Sequence, residues 1–209
     1  MKRPSRLPLP RLNVLPFLVL AAMASGVVTA CASGGASFVP PSRPAQFSMT
    51  GIPWGIAGDS VQEHLEPRGY NFNKVDEDGD LWFDGMLFRT PTRVFAFMAD
   101  QKLVKLRTLI ITEDTSALAM YRTARAELVK QFGTPKETVE EYEAPYKKGD
   151  QKQLEAIRSG KGNVRTYWLP PASSRLTLVS VEVTDKLVVA VDYESRAWDR
   201  ESVRRRQQQ

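Results

Sequence analysis

Between Tyr70 and Thr112, four strand-like runs follow one another at close spacing, and this constrains the fold more than any other feature of the chain. The runs are Tyr70–Val75, Leu81–Phe88, Arg93–Ala99 and Leu103–Thr112, all rich in aromatic and β-branched residues. Their connections, Asp76-Glu77-Asp78-Gly79-Asp80, Thr90-Pro91 and Asp100-Gln101-Lys102, are short and made of turn-forming residues. A parallel return needs a crossover of a dozen or more residues, so each neighbour must run antiparallel. A second group reads Glu137–Tyr142, Asn163–Leu169, Arg175–Val183 and Leu187–Tyr193, the last two paired across Thr184-Asp185-Lys186.

A helix precedes each group. Ser60 and Glu63 have capping-box spacing, Val61 and Leu65 share one face, and Pro67 with Gly69 ends that short helix. From about Thr115, Leu118, Tyr121, Ala124 or Arg125, Leu128 and Phe132 repeat at helical spacing until Gly133 and Pro135 stop them. The polar stretch from Lys147 to Gly162 has room for one helical turn or two. The expected class is therefore α+β, with two tandem helix-plus-antiparallel-sheet units in the order helix, four strands, helix, four strands. Either unit alone, at about 70 residues, would be marginal, so the two are expected to pack as one body. With Cys31 the only cysteine, no intramolecular disulfide can form, and stability must come from a packed core.

The N-terminus carries an address. Lys2, Arg3, Arg6 and Arg11 precede an apolar run from Val14 to Ala24, which closes on small residues. That is the layout of a secretory signal, and it falls short of the roughly 20 uninterrupted apolar residues of a spanning helix. Val28-Thr29-Ala30-Cys31 resembles the lipobox of bacterial lipoproteins. The resemblance implies diacylation of the Cys31 thiol, cleavage before it and acylation of the new amine. Each buried CH₂ contributes about 0.8 kcal/mol, and one chain alone binds only marginally, so two or three chains would hold a domain on a bilayer. By the same resemblance, Ala32 after the cysteine favours the outer membrane, facing the periplasm. Ordinary cleavage nearby stays open, because Ala30-Cys31-Ala32 also reads as an A-x-A site.

Removal of that segment changes the charge. The formal +5 of the whole chain includes four basic residues before position 30, whereas all 24 acidic residues follow it, leaving 25 basic groups against 24 acidic ones. A near-neutral body lacks the basic footprint of a nucleic-acid binder. The expected divisions are 1–30 signal peptide, 31–46 acylated cysteine and Gly/Ser/Pro tether, 47–113 and 114–199 the two helix-sheet units, and 200–209 a basic, Gln-rich disordered tail.

The body also resembles the β-lactamase-inhibitor-protein fold and the small outer-membrane assembly lipoproteins that share its helix-plus-sheet unit. The resemblance rests on the lipobox, on Trp54-Gly55 leading into Asp59-Ser60-Val61 and Leu65, and on Tyr121, Leu128 and Phe132-Gly133-x-Pro135. It implies a tandem of helix-plus-antiparallel-sheet units and brings no family-defining catalytic motif. The polar stretch Lys147–Gly162 departs from a tidy repeat.

Little in the chain suggests chemistry. His64 is the only histidine and has no motif-linked nucleophile, and zinc sites draw on Cys and His. Asp76-Glu77-Asp78-Gly79-Asp80, with Asp84 nearby, offers oxygen ligands but places glycine at position 4 and Leu87 at position 12, unlike an EF-hand, so a hairpin turn is favoured. Glu140, Glu141 and Glu143 read as a solvated face. Gly160-Lys161-Gly162 has no phosphate-loop context. Trp54, Trp82, Trp168 and Trp198 read first as core or boundary residues, and Arg204-Arg205-Arg206 as a tail able to touch lipid phosphates. The expectation is a lipid-anchored, non-enzymatic interaction or structural module without cofactor or metal, held on the membrane through Cys31 and binding an envelope protein. Alternatives are a glycan- or peptidoglycan-binding module built on exposed aromatics and, less favoured, a carboxylate-only hydrolase.

Overall fold

The computed structural model describes residues 43–208, all within one compact unit. Among the described residues the architecture is α+β, with one eight-stranded antiparallel sheet and four α-helices. In chain order these are α1 (Gly58–Leu65), β1 (Asn71–Val75), β2 (Leu81–Leu87), β3 (Thr90–Ala99), β4 (Lys102–Ile110), α2 (Ala117–Phe132), β5 (Glu137–Tyr142), α3 (Gln153–Arg158), β6 (Gly162–Trp168), β7 (Leu176–Val183), β8 (Val189–Ser195) and α4 (Arg196–Arg206). The strands lie in the order β1-β2-β3-β4-β8-β7-β6-β5, so the two groups share one continuous sheet through the β4–β8 ladder, Lys105↔Glu194 to Ile110↔Val189.

Strand alternation decides which side is covered. Phe83, Val94, Leu106, Val191, Val181 and Thr166 point one way, and all are buried. α1 buries Val61 and Leu65 on this side, and α2 buries Ala117, Tyr121, Ala124 and Leu128. The Tyr121 hydroxyl lies 2.7 Å from Thr166 Oγ1, which lies 3.0 Å from Thr138 Oγ1, fixing the helix over β5 and β6. Gly133 ends α2 with φ 74°, its N–H donating to the Val129 carbonyl at 2.9 Å. Truncating Leu128, which is fully buried in this layer, would cost about 2–5 kcal/mol.

Four local expectations are corrected. The β2–β3 turn is Phe88-Arg89, both at positive φ (50° and 64°), and Thr90-Pro91 joins β3. A two-residue turn of that type matches strand twist, and Pro91 sits near a strand end, where a missing N–H costs the ladder little. Ser60 lies inside α1, which starts after Ala57 without a side-chain cap, so no capping box forms. Residues 43–46 are not free tether: the Ala45 N–H donates to the Met86 carbonyl (2.9 Å), and the Gln46 N–H to that of Arg68 (2.7 Å), while Ala45 packs on the core. The C-terminal residues expected as a disordered tail form most of α4. Its Arg205 is drawn in by two carboxylates, donating to Asp80 (2.5 and 2.8 Å) and Glu201 (2.7 Å). The signal segment, Cys31 and the rest of the tether lie outside the described residues.

Candidate functional site

The other face of the sheet carries charged and aromatic side chains at alternating positions of strands that are otherwise apolar. One rung runs Lys74, Trp82, Phe95, Arg107, Asp192, Ser180, Tyr167, Glu137 across all eight strands. The next runs Asn71, Asp84, Arg93, Leu109, Ala190, Glu182, Arg165, Val139. Neither α1 nor α2 covers them. α4 covers one end only, where Trp198 rests on Phe97 with ring centroids 5.2 Å apart.

Cross-strand pairs hold the centre of this face. Arg107 donates from Nε to Asp192 (2.9 Å) and from Nη2 to Glu182 (2.8 Å) and Asp192 (3.0 Å). Burial works against its charge, but the Asp192 carboxylate above all, with Glu182 and Glu194, more than offsets this and raises the guanidinium above its ordinary range. Lys105 lies 2.7 Å from Glu194 and 3.3 Å from Asp192. Arg93 donates to fully buried Asp84 at 2.7 Å. The Arg107–Glu182 pair, partly exposed on both sides, contributes only about 1 kcal/mol or less to stability, whereas the pairs of Arg93 and Lys105 are largely buried. Their larger effect is order: long side chains already held in place lose less entropy when a partner binds.

Aromatic rings continue the face toward its edge. Trp82 and Phe95 meet edge to face at 4.7 Å, and Phe95 stacks toward Phe97 at 6.4 Å. Lys74 Nζ lies 4.1 Å from the Trp82 centroid and the Arg93 guanidinium 5.3 Å from it, within cation–π range. Rigid aromatics beside arginines are the composition of interface anchors.

The residues singled out from sequence fall in separate places. His64 is half-buried on α1, its carbonyl accepting from Arg68 Nη1 at 2.6 Å. Asp76 is committed to its own turn, accepting from the Asp78 and Asp80 N–H groups and from Trp82 Nε1 (3.0, 2.9 and 2.9 Å). Asp80 turns inward to Arg205 and the Met98 N–H. Glu140 accepts from Lys148 at 2.6 Å, while Glu141 and Glu143 are exposed. Trp168 is buried, donating to the Gly133 carbonyl at 2.9 Å, and Trp54 is half-buried beside the start of β4. Of the four tryptophans, Trp82 and Trp198 belong to the face.

Sequence reasoning did not assemble Arg107 with Asp192 and Glu182, which lie 85 and 75 residues away. The available signal was alternation: Lys105 and Arg107, Asp192 and Glu194, and Glu182 interrupt apolar strands at every second position, as a sheet covered on one side requires. Among the described residues, no three His, Cys, Asp or Glu side chains are grouped to hold a metal, and no helix is long and apolar enough to cross a membrane. No protein-family model matches the chain, and no curated protein or solved structure shows significant similarity to it.

Proposed function

We propose that this chain is a lipid-anchored envelope protein facing the periplasm, acylated at Cys31, whose domain binds a protein partner through the sheet face that α1 and α2 leave open and performs no catalysis itself. The observation that carries the reading is the pre-ordered rung of Trp82, Phe95 and Arg107 on a face that α1 and α2 leave open. Five cations (Lys74, Arg93, Lys105, Arg107, Arg165) stand there against six carboxylates (Asp84, Glu137, Glu141, Glu182, Asp192, Glu194), a near balance. Shape and aromatic contact, rather than net charge, would therefore select the partner. The strand order supports reading the chain as two tandem helix-plus-four-strand units joined at β4 and β8, with α3 an insertion in the second and α4 an appendage.

Two measurements on the protein from its native envelope test the proposal. Mass spectrometry should find a mature terminus at Cys31 bearing acyl chains, and an unmodified thiol would remove the anchor. A photo-crosslinker at Phe95 should trap a discrete protein adduct that the same probe at exposed Arg122 on α2 does not. Equal labelling from both sites, or none, would remove the interface.

A further inference from the structure

A cleft of about 800 Å³ opens at the end of the sheet where β4 begins and β8 ends. One wall is apolar, made by Trp54, Leu103, Val104 and Leu176. The wall is built by backbone pairing, the Gly55 N–H donating to the Leu103 carbonyl and the Leu103 N–H to that of Ile56, both at 2.9 Å. The rim is cationic: Lys102, Arg175, Arg196, Arg200 and Arg204 face it, against Asp100 and Glu201. Glu201 is already occupied, accepting from Arg204 (2.5 and 2.8 Å) and Arg205 (2.7 Å), and the first of these contacts lowers its carboxyl pKa most. Arg175, Arg196 and Arg200 have no ion pair or side-chain hydrogen bond among the described residues.

Arg175, at φ 59°, turns the chain into β7 beside the cleft. The start of α4 adds to this. α4 starts at the cleft with no side-chain cap, because Ser195 Oγ donates instead to the Val104 carbonyl at 2.7 Å and Asp199 in the first turn makes no capping bond. The leading N–H groups of an uncapped eleven-residue helix attract anions. Arginine forks match phosphate oxygens in pairs, and the volume is that of a small-molecule site.

We propose that this cleft binds an amphiphilic phosphate: a phosphoryl group held by Arg175, Arg196 and Arg200 at the start of α4, with its apolar body against Trp54 and Leu176. The site is separate from the sheet face and does not depend on it. The same chemistry is offered by a phospholipid headgroup and by a free organic phosphate.

Trp54 makes binding visible. The full-length protein, carried in neutral choline-lipid vesicles, is titrated with hexyl phosphate while tryptophan emission is recorded; in parallel, anionic phosphatidate is doped into the vesicles. Saturable change with either probe, absent in Trp54→Phe and absent with hexanol, is the expected result. Response to hexyl phosphate alone marks a free ligand, and response to phosphatidate alone a lipid headgroup. Arg175→Ala and Arg200→Ala should each weaken binding by about tenfold. Both residues are exposed, so melting temperatures should match the parent and confirm folding. No saturable signal from either probe, equal binding of hexanol, or folded arginine variants that bind as the parent does would overturn the proposal.

Discussion

Replacing Arg205 with methionine leaves a carboxylate stranded inside the protein. Asp80 is 2% exposed and accepts from both terminal guanidinium nitrogens of Arg205, 2.5 and 2.8 Å away, and from the Met98 N–H at 2.8 Å. The Arg205 side chain is itself only 17% exposed and also donates to the Met98 carbonyl at 2.9 Å. Its hydrogen bonds to Asp80, more than anything else, raise its pKa, so it is charged at every accessible pH. Breaking one side of a buried pair costs about 3–5 kcal/mol. Here Asp80 keeps the Met98 N–H, and the pair lies under the last turn of α4, within reach of water, so about 2–3 kcal/mol is expected. For a folded body of this size each kcal/mol moves Tm by about 2–4 °C, so calorimetry should show a fall of roughly 5–10 °C. Adding Asp80→Asn removes the stranded charge while retaining an acceptor for Met98, and the double variant should recover most of the loss. An Arg205→Met protein melting within a degree of the parent, or a double variant no better than the single, would refute the view that α4 is fastened by this pair.

Two other outcomes follow from the same packing. A Cβ on Gly85 would lie 2.5 Å from Tyr70 Cδ1, and Tyr70 is buried with its hydroxyl donating to the Gln46 carbonyl at 2.9 Å. Gly85→Ala should therefore lose about 1–3 kcal/mol in denaturant unfolding, and an unchanged midpoint would show that Tyr70 moves freely. Glu201 is held below the ordinary glutamate range chiefly by its bond from Arg204, so its contribution is complete above about pH 5 and is lost as pH falls through the lowered native value. Glu201→Gln should flatten the acid limb of stability below about pH 4.5; an identical acid limb would mean that the carboxylate adds nothing.

Local pattern carried much of this fold in readable form. The run Glu137–Tyr142 emerges as β5 with the expected ends, and α2 buries Tyr121, Ala124 and Leu128 as their spacing requires, because alternation and helical periodicity are properties of adjacent residues. The short links around β2, β3 and β4 dictated antiparallel pairing without any knowledge of the rest of the chain. The fate of the C-terminus could not be read in that way. Arg200 to Arg206 is polar apart from Val203 and is held as helix because Asp80, far away in sequence, supplies a buried countercharge and Phe97 a surface for Trp198. The continuity of the sheet through β4 and β8, the Arg107–Asp192 pair and the gathering of Arg175, Arg196 and Arg200 around one cleft have the same origin. Each joins residues whose local sequences hold no record of one another, and only chain closure in three dimensions brings them together.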